Sequence, residues 1–155
     1  MKKQSKFVIA IAAIAGLFSM AGATVIATTT TAVAATSGET VIVRGTWTKK
    51  FADSRGDWSI VERNGKQFVV LSDDFKTRRA PDLKIFLTPT DIGSLNGDNA
   101  TDRSVLIAPL ANNKGGQEYE VPNGVDINDY TSIVIHCEAY SKLWSAAPLE
   151  PSPFQ

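Results

Sequence analysis

The sequence has one cysteine, Cys137, and one histidine, His136, in 155 residues. A single cysteine excludes an internal disulfide, so a small domain built from this chain must be held together by its core. It also excludes a Cys-x-x-Cys-His haem attachment. With no second Cys or His, the adjacent pair cannot complete a zinc or copper shell. No Gly-x-Gly-x-x-Gly fingerprint for a flavin or nicotinamide is present, so the sequence assigns no prosthetic group. No nucleophile, base and oxyanion hole can be drawn together, which removes hydrolase chemistry. No ten-residue window of the domain carries a helical period. There is no excess of one charge either, with 16 basic against 16 acidic residues.

The N-terminus is of a different character. Lys2, Lys3 and Lys6 precede an apolar run from Phe7 to about Ala27, a threonine-rich patch and then Ala32-Val33-Ala34. Positive, apolar and small-x-small is the order of a secretory signal peptide over residues 1–35, cut after Ala34 or Ala35, with Ala21-Gly22-Ala23 as an earlier alternative. An uncleaved anchor is the competing reading, since the run approaches the ~20 residues that span a bilayer. Either way the remainder is expected outside the cytoplasm: periplasmic, at the cell surface or extracellular. Contact with a membrane is expected only through this segment, if it is retained. Without those three lysines, 13 basic residues face 16 acidic ones. That balance argues against nucleic acid as a partner.

Residues 36–149 read as one all-β domain. "ETVIVRGTW" (39–47) alternates and is β-branched. "DWSIVERNGKQFVVLS" (57–72) is two apolar runs around Asn64-Gly65, a strong hairpin signal because both turn residues tolerate positive φ. Further strands are expected in 83–88, 104–110, 117–122 and 131–140, separated by Pro, Asn and Gly turns. The architecture implied is an antiparallel β-sandwich or flattened barrel. The proline-rich end, 150–155, reads as a flexible tail.

Alternation in "SIVIHCEAY" puts Ile133, Ile135, Cys137 and Ala139 on one face and Val134, His136 and Glu138 on the other. His136 is thereby directed away from the sulfur, which leaves Cys137 without an adjacent base. A nucleophilic thiol needs a base or a cation nearby. Lys142, Arg78 and Arg79 are the candidate cations. Asp98, Asn99 and Asp102 share a loop but miss the spacing of a calcium loop and read as a solvated turn. Trp47, Trp58 and Trp144 lie in or beside apolar strand patterns and read as core rather than as a sugar-stacking platform.

Four blocks in order carry a family resemblance. They are Gly45-Thr46-Trp47 with the hairpin ending "QFVVLSDDF"; "APDLKIFLT" (80–88); "LANNKGGQEYEVP" (110–122); and "YTSIVIHCEAYSKLWSAAPL" (130–149). From about Val43 to Leu149 the chain resembles the DM-thirteen domain, an electron-transfer domain found in Skeletor and Knickkopf and in small exported bacterial proteins. The resemblance implies an all-β fold, redox chemistry at Cys137 and a redox partner protein. The chain departs from the family pattern at Ala80, His136 and Pro148, and the change at His136 bears on the surroundings of the thiol. Two functions follow: an exported redox module that uses Cys137 as a partly buried, reachable thiol, and a non-enzymatic β-sandwich that binds a partner and keeps Cys137 as core.

Overall fold

The computed structural model describes residues 38–150. The signal-peptide reading and residues 151–155 of the tail lie outside the described residues. Eleven strands follow in order: β1 (Thr40–Thr46), β2 (Thr48–Lys49), β3 (Ser54–Arg55), β4 (Asp57–Arg63), β5 (Lys66–Leu71), β6 (Lys76–Thr77), β7 (Leu83–Thr88), β8 (Val105–Pro109), β9 (Gln117–Glu120), β10 (Ser132–Cys137) and β11 (Lys142–Pro148). A four-stranded sheet has the order β1-β4-β5-β9 and a five-stranded sheet the order β2-β11-β10-β7-β8, with β3 and β6 as a separate ribbon. Every pairing is antiparallel. The expected all-β, antiparallel single domain is therefore present, and of the two architectures it is the sandwich.

Asn64 and Gly65 make the tight turn between β4 and β5, with φ of 53° and 73°. Two successive positive φ values match the right-handed twist of the flanking strands, which is why Asn-Gly suits the place. The inner faces of the two sheets supply the main core. Trp58, Ile60, Val69 and Leu71 come from one sheet, and Ile85, Leu87, Ile133, Ile135 and Cys137 from the other. Burial of each large side chain contributes roughly 1.5–3 kcal/mol. All three tryptophans are buried, as their strand settings imply.

The five-stranded sheet is covered on its second face too. Phe86, Val134, Leu143 and Ala146 form a smaller cluster with Leu95 and Ala100, which belong to the long connection between β7 and β8. Asn96 and Asn99 shape that connection: the Asn96 side chain accepts the Asp98 and Asn99 N–H groups at 2.8 and 3.2 Å, and the Asn99 side chain donates to the Ser94 carbonyl at 3.0 Å. The segment turns as read, with Asp98 and Asp102 exposed, and its Leu95 and Ala100 also make it a lid over the sheet. Gly97 is required within it, because any Cβ there would collide with the Ser141 carbonyl oxygen.

One strand is shorter than its sequence implies. The expected strand over 131–140 stops at Cys137. A 3-10 turn over Glu138–Tyr140 follows, then Ser141 at φ 48°, and the chain returns as β11. Ala139 and Glu138 consequently leave the two faces on which strict alternation would put them.

Candidate functional site

Cys137 ends β10, the strand flanked by β7 and β11 at the centre of the five-stranded sheet. The strand alternates as expected: Ile133, Ile135 and Cys137 lie in the inter-sheet core, and Val134 in the outer cluster. A bulge between β10 and β11 falls on the β11 side at Trp144, which has no partner between the Ile135–Ser145 and His136–Leu143 pairs. The extra residue therefore leaves the facing of β10 intact. The thiol is free and 0% exposed. That corrects the expectation of a partly buried, reachable sulfur: both faces of the sheet are covered, so no side of β10 meets solvent.

His136 is also buried, at 4% exposure, beneath the lid. Its Nε2 donates to the Gly97 carbonyl at 2.9 Å, and its Nδ1 has no partner among the described residues. It thus faces away from Cys137, into protein rather than water. Among the three candidate cations, Lys142 stands opposite Cys137 in the β10–β11 register, with its side chain exposed. Arg78 is stacked over Phe51 and Trp144, and Arg79 donates to Asn113 Oδ1 at 3.1 Å. No group of three or more His, Cys, Asp or Glu side chains is arranged to hold a metal among the described residues.

The end of the sandwich at Cys137 gathers three of the four sequence blocks. Leu83, from Pro81-Asp82-Leu83, is the register partner of Cys137 on β7. The Glu138 N–H donates to the Asp82 carbonyl at 3.1 Å, and the Leu110 N–H to the Leu83 carbonyl at 2.8 Å. Residues 110–119 then staple themselves. The Gln117 side chain accepts the Asn112 N–H at 2.8 Å and donates to the Asn112 and Gly115 carbonyls at 3.0 and 3.1 Å. The Tyr119 hydroxyl accepts the Ala111 N–H at 2.9 Å and donates to Gln117 Oε1 at 2.7 Å. Burial of the Tyr119 ring raises its pKa by disfavouring the phenolate. Between these two segments lies a groove of about 400 Å³, lined by Ala80, Pro81, Leu83, Leu110 and Asn112 among others. Leu83 is the residue shared by the groove wall and the Cys137 pair.

Lys84 clamps the turn after Cys137. Its ammonium lies 3.4 Å from Asp82 Oδ2 and donates to the Glu138 carboxylate. The Glu138 bond is the main cause of a pKa raised above the ordinary 10.5, with partial burial opposing. A raised lysine pKa adds stability that is fully present below the unfolded value and is lost as pH rises through the folded one. The stability difference between the wild type and Lys84→Met should hold steady from about pH 7 to 9 and shrink above pH 10.5. Denaturant midpoints measured across that range test this, and a difference unchanged at high pH would remove the clamp as its source.

Residues 46–149 match the family described as Electron transfer DM13. No curated protein and no solved structure matches the chain. The match starts one residue after Gly45 and takes in every strand from β2 to β11, with Cys137 inside it. The chain therefore belongs to the DM13 electron-transfer family.

Proposed function

We propose that the domain is an exported electron-transfer module whose redox group is the Cys137 thiol. The observation that carries this reading is where the sulfur lies. Met1 and Met20 belong to the N-terminal segment, so Cys137 is the one sulfur of residues 36–155. It ends its strand where the family's second and third blocks meet beside a groove. The signal-like order of the N-terminus supports export. The chemistry that fits is thiol–disulfide exchange. The Cys137 thiolate attacks one sulfur of a partner disulfide, that S–S bond breaks, a mixed disulfide forms and the partner's other sulfur leaves as thiolate. Approach is from the groove, past Leu83, and needs Leu83 to shift.

Full burial of the thiol favours a second reading, a binding module in which Cys137 is a small core residue. Thiol titration separates the two. Under the redox reading, methyl methanethiosulfonate labels the folded protein slowly, and a bulky aromatic disulfide labels it only after denaturation. A thiol inert to both until the chain unfolds would leave the binding module as the better account.

A further inference from the structure

Charge is spread unevenly over the domain. Arg63, Lys66 and Lys84 each hold a carboxylate. Arg55, Lys76, Arg78 and Lys114 form no ion pair among the described residues. Their positions make this expensive. Arg55 stands opposite Lys76 in the β3–β6 ribbon, and an isolated bridge puts Lys114 opposite Lys76 on its other side. Residues opposed in this way share a face about 4.8 Å apart, so the three cations form a row roughly 10 Å long. Like charges directly opposite each other destabilise a sheet. All three side chains are exposed.

Beside the row is a groove of about 510 Å³ lined by Lys49, Phe51, Asp53, Arg55, Lys76 and Arg78 among others. Asp53 is the sole acid in its wall and already lies 3.8 Å from Lys49. The Arg78 guanidinium is held by two rings, 4.9 Å from the Phe51 centroid and 5.1 Å from that of Trp144. Stacking of this kind leaves the in-plane N–H groups for an anion. Phe51 is itself 49% exposed. The platform is fixed from below: the Thr77 N–H donates to the Asn113 carbonyl at 2.8 Å, the Asn113 side chain returns a bond to the Thr77 carbonyl at 3.0 Å, and Gly115 N–H donates to the Phe75 carbonyl at 2.8 Å.

We propose that this groove docks an acidic face of a partner protein, with carboxylates on the Arg55–Lys76–Lys114 row and an apolar side chain on Phe51. That the partner is a redox protein rests on the electron-transfer reading; the docking does not depend on Cys137. An exposed aromatic ring flanked by arginine is the composition of a protein interface, whereas a polyanion needs charge alone. Opposed cations would raise the encounter rate with an acidic partner and set its register.

The test uses the whole chain and three probes: an oligoglutamate peptide with one central tyrosine, a heparin fragment, and phosphatidylglycerol vesicles. The peptide should bind with an affinity that falls as salt rises and should perturb Phe51, Lys76 and Arg78. Lys76→Glu should weaken it tenfold or more and raise the melting temperature, because two repulsive oppositions become attractive. Phe51→Ala should weaken the peptide severalfold and leave heparin unaffected. The proposal is overturned if Lys76→Glu lowers the melting temperature, if Phe51→Ala does not weaken the peptide, or if heparin or vesicles bind at least tenfold tighter than the peptide. Binding is read without electron transfer, so the failure of either proposal leaves the other standing.

Discussion

Under the proposed redox reading, Cys137→Ser should abolish electron transfer and leave a folded domain. The thiol is fully buried in the inter-sheet core, beside Ile135 on its own strand and Leu83 on β7. A hydroxyl placed there without a partner costs on the order of 1–3 kcal/mol. The strand already tolerates one such group, since the Ser132 hydroxyl is buried with no partner among the described residues. Domains of this size are typically stable by about 5–15 kcal/mol, so the variant remains folded. Cys137→Ala is the companion variant, because it removes the sulfur without introducing a polar atom, at a cost of about 1 kcal/mol. Both should lose exchange with 2-hydroxyethyl disulfide entirely while keeping the wild-type circular dichroism spectrum. A folded wild type that does not exchange with this disulfide until it is unfolded would show that electrons do not pass through this sulfur. Cys137 would then be a core residue of a binding module.

The features of the fold that could be read from sequence are those fixed by local chemistry. Asn64-Gly65 announces the β4–β5 hairpin, because few other pairs accept two positive φ values. The facing of Ile135, His136 and Cys137 follows from strand alternation alone, and it survives because the bulge falls at Trp144 on β11. What could not be read depends on partners distant in the chain. The turn between β10 and β11 is made by Ser141 at φ 48°, with no Gly, Pro or Asn to mark it, so residues 131–140 look like one strand. β2, β3 and β6 are two residues each, too short to display a period. The lid over β10 was hinted at by "IVI" in a strand with no exposed face, since continuous apolar runs belong to strands covered on both sides. The row of Arg55, Lys76 and Lys114 arises only from pairing. At the candidate site, strand alternation pointed His136 away from the sulfur, and only the family resemblance singled out Cys137. Sequence could not show that the sulfur has no exposed side.

Trp58→Ala should cost about 3–5 kcal/mol, the range for deleting a large aromatic side chain from a core. Trp58 is among the most buried large side chains of the domain, its ring centroid 6.1 Å from that of Trp47. Gly45 stands directly opposite it across β1–β4. A Cβ on Gly45 would come within 3.1 Å of the Trp58 ring. The Gly45-Thr46-Trp47 block thus has a physical reason: the glycine leaves room for one indole and the tryptophan packs against it. Neither Trp47 Nε1 nor Trp58 Nε1 has a hydrogen-bond partner among the described residues. Trp58→Phe therefore forfeits no hydrogen bond and leaves a smaller cavity than alanine does, so it should cost clearly less, about 1–2 kcal/mol. Denaturant unfolding would show this order, Ala far below Phe. A double-mutant cycle then tests the reason for the glycine. Gly45→Ala should destabilise the wild type and cost less in the Trp58→Ala background, with a coupling of about 0.5–3 kcal/mol as expected for residues in contact. Strictly additive costs would mean that Gly45 serves the β1 backbone and not the seat of Trp58.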